Sequence, residues 1–109
     1  MKKVTFDEVE ETIVHKSVRR RKLITGRMND AVQSFNDAYL EPGKSFSSHK
    51  HSDCEEIFYF LEGAGQMTID KNTFPVRMGD YVTINKNETH SLKNNYSSSL
   101  RWIAIRILL

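Results

Sequence analysis

With a single cysteine among 109 residues, Cys54, the chain has no internal disulfide, and it fits a reducing compartment. Prolines number two and glycines five, which excludes collagen-like and low-complexity architectures. No stretch approaches the roughly 18 consecutive apolar residues of a membrane-spanning helix. An excess of one charge is also missing. Lys and Arg total 16 and Asp and Glu 14, for a formal charge of +2. That near balance argues against polyanion binding as the main role and against a disordered chain. The first dozen residues turn acidic where a secretory signal would turn apolar. The expectation is one cytoplasmic domain with no membrane partner and no nucleic-acid partner. Its length suffices for one core without disulfide staples.

What is present reads mostly as strand and turn. Val32-Gln33-Ser34-Phe35 runs into Ala38-Tyr39-Leu40 and stops at Pro42-Gly43. Glu56 to Leu61, Gln66 to Ile69, Phe74 to Met78, Tyr81 to Ile84, Ser91-Leu92 and Leu100 to Leu109 follow, separated by turn residues. Many short strands at 8–12-residue spacing predict an all-β antiparallel barrel or sandwich. The first 22 residues differ. Thr5-x-x-Glu8 reads as a capping box, and Phe6, Val9 and Ile13 are spaced as on a helix. This predicts a short helical turn in an N-terminal arm, residues 1–22, ahead of a single barrel domain, residues 23–109. The Arg19-Arg20-Arg21-Lys22 run reads as a solvated strand edge, with an anionic-substrate or nucleic-acid patch as the alternative.

The chain has four histidines, and two of them, His49 and His51, are separated by one residue. In a strand such a pair shares a face, with Cα atoms roughly 6.6–6.8 Å apart. Two imidazoles so placed can converge on one metal at about 2.0–2.1 Å per bond. Glu55 and Glu56 follow, and His90 lies at the edge of a later strand. His-x-His alone also suits a polar surface loop, which Ser47 to Asp53 would allow.

The wider pattern is Gly43-x5-His49-x-His51-x4-Glu56-x6-Gly63 followed by Gly79-x5-Asn85-x-Asn87-x2-His90-x3-Asn94. Together the two stretches resemble the two motifs of the cupin superfamily and span about half the chain. The resemblance implies a double-stranded β-helix, the jelly-roll barrel. It also implies a ligand set of His49, His51, Glu56 and His90 for one divalent transition metal (Fe, Mn, Ni, Zn, Co or Cu). Departures occur at Asn85, where the family usually has Pro, and at Asn87, where it has Gly. Asn tolerates the left-handed conformation, so Asn87 is expected to close the same turn. Asn85 lacks proline's fixed φ, which predicts a looser loop. Strand alternation sets Glu55 opposite Glu56, and the spacing to Gly63 selects Glu56.

Phe58, Gln66 and Trp102 are candidates for the substrate pocket. Of the adjacent Arg101 and Trp102 only one can point inward. Cys54 reads as a small buried hydrophobe, and His15, outside both motifs, as a surface histidine. Proteins of this resemblance include dioxygenases, isomerases, decarboxylases and binding modules, so the function expected is a small mononuclear metalloenzyme of dioxygenase or isomerase type acting on a small oxygen-rich molecule. The alternative is a non-catalytic small-molecule or sugar-binding sensor. The last strand is apolar on both faces apart from Arg101 and Arg106. One face must therefore be covered from outside the barrel, which predicts a homodimer.

Overall fold

The computed structural model describes residues 3–24 and 31–109. Among the described residues a 3-10 turn, Phe6–Glu8, precedes ten strands: β1 Glu11–Val14, β2 Val18–Lys22, β3 Val32–Leu40, β4 Ser45–His49, β5 Cys54–Glu62, β6 Ala64–Ile69, β7 Asn72–Arg77, β8 Tyr81–Ile84, β9 His90–Lys93 and β10 Leu100–Leu108. They form a six-stranded sheet in the order β1-β2-β3-β10-β5-β8 and a four-stranded sheet in the order β4-β9-β6-β7. All pairings are antiparallel. This is the jelly-roll barrel expected.

The core lies between the sheets and follows from strand alternation. On β10, Leu100, Trp102 and Ala104 are buried, while the alternate residues are only half-buried. On β5, Phe58 and Phe60 are buried on the same side as Glu56. Trp102 stacks on Phe58 with ring centroids 5.6 Å apart. Met67, Leu92 and Phe46 close the core from the smaller sheet. Of the pair Arg101 and Trp102, the tryptophan turns inward. Arg101 lies on the outer face and bonds Asp37 at 2.6 Å and Glu62 at 3.3 Å.

The expected short helical turn is present as the 3-10 turn Phe6–Glu8, but it extends no further. Thr5 makes no side-chain cap, the helical conformation lasts three residues, and Ile13 lies in β1. A hairpin outcompetes the local signal, because β1 pairs with β2 and β2 pairs with β3, so the segment gains a full sheet ladder. His15 and Lys16 both take positive φ, 50° and 67°, as a tight hairpin turn requires. The basic run is consequently not a sheet edge, since β2 is flanked on both sides. Arg19 and Arg21 face outward, Arg19 to Glu41 and Glu11 and Arg21 over the ring of Phe6 at 3.9 Å.

The motif turns are built as their residues imply. Asn87 has φ 66°. The Asn85 loop is tied by the Asn85 amide donating to Glu88 Oε1 at 2.7 Å and by the Glu88 amide donating back to the Asn85 carbonyl at 3.1 Å, which supplies locally what proline would have fixed. Asn94 is fully buried and donates to the carbonyls of Leu40 and Ser98.

Gly63 and Gly79 have φ +79° and +94°. Space around them differs. A Cβ at Gly63 would collide with the carbonyl oxygen of Ser99, whereas Gly79 has nothing within 4 Å. Gly79→Val should therefore cost about 1–3 kcal/mol through backbone strain alone, and Gly63→Val more than that. Urea unfolding of the two variants checks the order, and equal stability to wild type would contradict it.

Candidate metal centre

The two sheets bring the predicted ligands together. His49 at the end of β4 pairs directly with His90 at the start of β9. His51 lies just past β4, held by its carbonyl accepting from the Asn87 amide at 2.7 Å. So the His-x-His pair does not share one strand face as the spacing suggested. The chain leaves β4 between the two residues, and both still reach the site. Glu56 enters from β5 on the opposite sheet. One ring nitrogen from each of His49, His51 and His90 lies within 4.8 Å of the others. Glu56 Oε1 is 2.9 Å from His51 Nε2 and 3.6 Å from His90 Nε2.

Hydrogen bonds on the far side of two rings set their tautomers. His90 Nδ1 faces the Glu88 carbonyl at 3.3 Å, and His49 Nδ1 faces that of Ser47 at 3.1 Å. A carbonyl only accepts, so each Nδ1 carries the proton and each Nε2 keeps a lone pair. Burial, reinforced by His49, pushes His90 down to about 4 and keeps it neutral. Burial also pushes Glu56 above the usual carboxylate range, against the pull of Arg106. Burial, then Arg106 and His49, lower His51.

The residues present fit a divalent transition ion. Glu56 Oε1 and His90 Nε2 are both buried and both lack a hydrogen-bond partner. Such orphaned acceptors are costly in a low-dielectric interior, and a cation between them removes the cost. Three imidazoles and one carboxylate suit Zn, Fe, Mn, Ni, Co or Cu.

Of the pocket candidates, Phe58 and Trp102 do line a cavity of about 50 Å³ beside these ligands. Gln66 does not. It is exposed on the outer face of the small sheet, opposite Pro75 and Lys93, because the buried Gly65 and Met67 take the inward positions of β6. Cys54 is buried, and burial raises its thiol to about 11, in keeping with a packing role. His15 is exposed as expected, yet its ring stacks on His49 with centroids 4.3 Å apart. All four histidines thus gather at one site.

Arg20, read from sequence only as part of a basic run with an anionic-substrate patch as the alternative, lines the same cavity, as do Asn36 and Arg106, which sequence reading did not single out for the site. A signal existed in strand parity. Val18 is buried, so Arg20 shares its inward side, and Arg106 shares that of Trp102 and Ala104.

A family model described as the cupin domain matches residues 37–106. Among curated relatives, an uncharacterised protein of Methanocaldococcus jannaschii, MJ1618, is 33% identical over 93 residues, covering 84% of this chain and 74% of the relative. An oxalate-binding protein of Thermotoga maritima is 33% identical over 82 residues, covering 75% of this chain and 68% of the relative. The crystal structure of a predicted oxalate decarboxylase from Thermotoga maritima superposes with a TM-score of 0.91 at 27% identity, covering 99% and 100% of the two chains. That of the polyketide cyclase RemF from Streptomyces resistomycificus superposes at 0.85 with 24% identity, covering 98% and 79%. The chain belongs to the cupin family, as its two motifs implied. No helix among the described residues is long and apolar enough to cross a membrane.

The depressed His90 sets a pH dependence. Between about pH 6.5 and about 4 the unfolded chain binds a proton at this residue and the folded chain does not. Stability of the metal-free protein should therefore fall as pH drops through that window, by about 3 kcal/mol from His90 alone. Glu56, raised on folding, opposes part of the fall. Denaturant titrations from pH 7 to 4.5 should show a steep loss in wild type and a shallower one in His90→Gln. Equal slopes would contradict the assignment.

Proposed function

We propose that this cupin is a mononuclear metalloprotein in which His49, His51, His90 and Glu56 hold one divalent transition ion. We propose further that it acts on a small oxygen-rich molecule, as an enzyme of dioxygenase or isomerase type. The observation that supports this best is the pair of buried, unpartnered acceptors, Glu56 Oε1 and His90 Nε2, turned toward His51. When bound, the ion supplies a Lewis acid and a template with positions open to a ligand's oxygens. The chain's own residues do the rest. His49 and His90 present Nε2 lone pairs fixed by their backbone partners. Phe58 and Trp102 wall the ligand cavity with apolar surface. Glu56, pushed above the usual carboxylate range by burial, holds a proton at its carboxyl oxygen more readily than an exposed carboxylate would.

The test is turnover under aerobic and anaerobic conditions after reconstitution with Fe, Mn, Ni or Zn, across diketone, flavonol, thiol and sugar substrates. Product with at least one metal is expected. Thermal stabilisation by a ligand without product would replace the enzyme with a non-catalytic binding protein, the reading that the small cavity and the oxalate-binding relative favour.

For the metal itself, His49→Ala combined with His51→Ala should abolish stoichiometric binding while leaving the far-UV circular dichroism unchanged, because the ligands hang on preformed sheets. Elemental analysis after dialysis reads the result, and full occupancy in the double variant would refute the ligand set.

We also propose a homodimer through the outer face of the large sheet. Ile103, Ile105 and Ile107 occupy the outward positions of β10. Ile103 lies across from Tyr59 and Ile105 between Ile57 and Phe35. Tyr59 and its neighbour Tyr81 are 46% and 71% exposed. Among the described residues of the chain's own arm, Phe6 covers the Arg101 end of this face, lying against Arg21 and Arg101. Sedimentation at micromolar concentration should give about twice the 12.7 kDa chain mass, and Ile103→Glu should return it to the monomer. A monomeric wild type would contradict the proposal.

A further inference from the structure

The hairpin between β1 and β2 brings a fourth ring to the histidines. His15, in its turn, lies against one face of His49 with ring centroids 4.3 Å apart and planes inclined by 19°. The other rings around His49 are tilted: Phe46 by 50°, His51 by 77° and His90 by 59°. Among the described residues His15 is therefore the near-parallel neighbour. The nitrogens that converge are those of His49, His51 and His90, so His15 acts on an ion only through His49. It precedes residues 37–106, the stretch matched by the cupin model, and the two motifs imply nothing about it.

Two features mark the stack as built into the fold. The first is the turn. The Ser17 amide donates to the Val14 carbonyl at 3.3 Å, and both residues between them, His15 and Lys16, take positive φ. Turns of this kind favour Asn and Gly, yet the position against His49 carries an imidazole. The Ser17 hydroxyl also donates to the Ser45 carbonyl, which ties this hairpin of the large sheet to β4 of the small sheet. The second feature is a weak backbone hold on His49. β4 is an edge strand, its register with β9 shifts between Phe46 and His49, and the chain leaves the strand directly after His49. His90, by contrast, is buried in β9 and has β4 and β6 on its two sides. The bond from His49 Nδ1 to the Ser47 carbonyl fixes one edge of the ring. A ring packed on its face restrains the rotation that this bond alone leaves.

We infer that His15 is a positioning residue for His49: its stacked ring holds the His49 imidazole in the orientation that presents Nε2 to the ion. This deepens the metal-centre reading and rests on it. An imidazole free to turn must be ordered when the ion binds, and the lost rotamer freedom weakens affinity. The face of the His15 ring carries the effect, not its nitrogens, so phenylalanine is the conservative replacement. Asparagine is the informative one, because it suits a positive φ and removes the ring.

The experiment compares wild type, His15→Asn and His15→Phe by three measurements. Cobalt(II) affinity is read by competition with a chelator, the stability of the metal-free protein by urea unfolding, and the His49 tautomer of the metal-free protein by long-range proton–nitrogen NMR correlation. His15→Asn should weaken cobalt binding on the order of tenfold without lowering the urea midpoint. His15→Phe should keep the wild-type affinity. In wild type and His15→Phe the His49 ring should show one tautomer, protonated at Nδ1, and in His15→Asn an exchanging mixture. An unchanged cobalt affinity in His15→Asn overturns the inference. So does an equal loss in both variants, or a loss matched by a fall in the urea midpoint, which would make His15 a structural residue only. A wild type that binds no cobalt, with a His49 tautomer that still depends on the ring at position 15, overturns the metal centre and retains the positioning. Failure of both readouts in wild type overturns both.

Discussion

The site is governed by one electrostatic constraint: a carboxylate, Glu56, and an imidazole, His90, are buried together inside an apolar barrel, with the half-buried His49 and His51 beside them. Glu56 is buried among Phe58, Trp102 and the histidines, with Oε1 lacking a donor. In an interior of low dielectric such a cluster is unfavourable by itself. A strand pairing that places Phe58 and Phe60 in the core necessarily places Glu56 on the same side. The barrel thus tolerates an unfavourable arrangement that a cation or protons can relieve. The shifts follow the same logic, with His90 forced neutral and Glu56 drawn toward its protonated form.

The β1–β2 hairpin gives this small barrel more than a cover. Its turn sets His15 against His49, and its second strand sends Arg20 into the cavity. Pairing with β3 makes the hairpin part of the large sheet, so these side chains are held by a ladder and not by a free arm. The outward residues of the same strand are neutralised by Glu11 and Glu41. One basic run therefore serves two faces: its outer charges are paired, and its inner charge is left for the cavity.

Much of this was legible in the sequence, for identifiable reasons. The barrel followed from short alternating segments separated by turn residues. The candidate ligands His49, His51, Glu56 and His90 were taken from the resemblance to the two cupin motifs, whose framing glycines, Gly43, Gly63 and Gly79, take positive φ. The errors arose where tertiary pairing outranks local preference. The spacing of Phe6, Val9 and Ile13 suits a helix, but Ile13 gained a strand partner in Arg19. The turn at His15 and Lys16 carries neither Gly nor Asn, so nothing local announced the hairpin. Gln66 was misplaced because its strand was not phased against the buried Met67. Arg20 was read first as part of a solvated run, with an anionic-substrate patch as the alternative, and Arg106 was not placed at the site, although parity with Val18 and Trp102 turns both inward.

The central claim is that one ion is held by three imidazoles and one carboxylate. X-ray absorption at the metal edge of protein reconstituted with manganese or iron tests it most directly. The expected spectrum has one ion per chain, first-sphere nitrogen and oxygen neighbours, and outer-sphere scattering from three imidazole rings. A protein that retains no ion, or an ion whose sphere contains sulfur from Cys54 or only one ring, would contradict it.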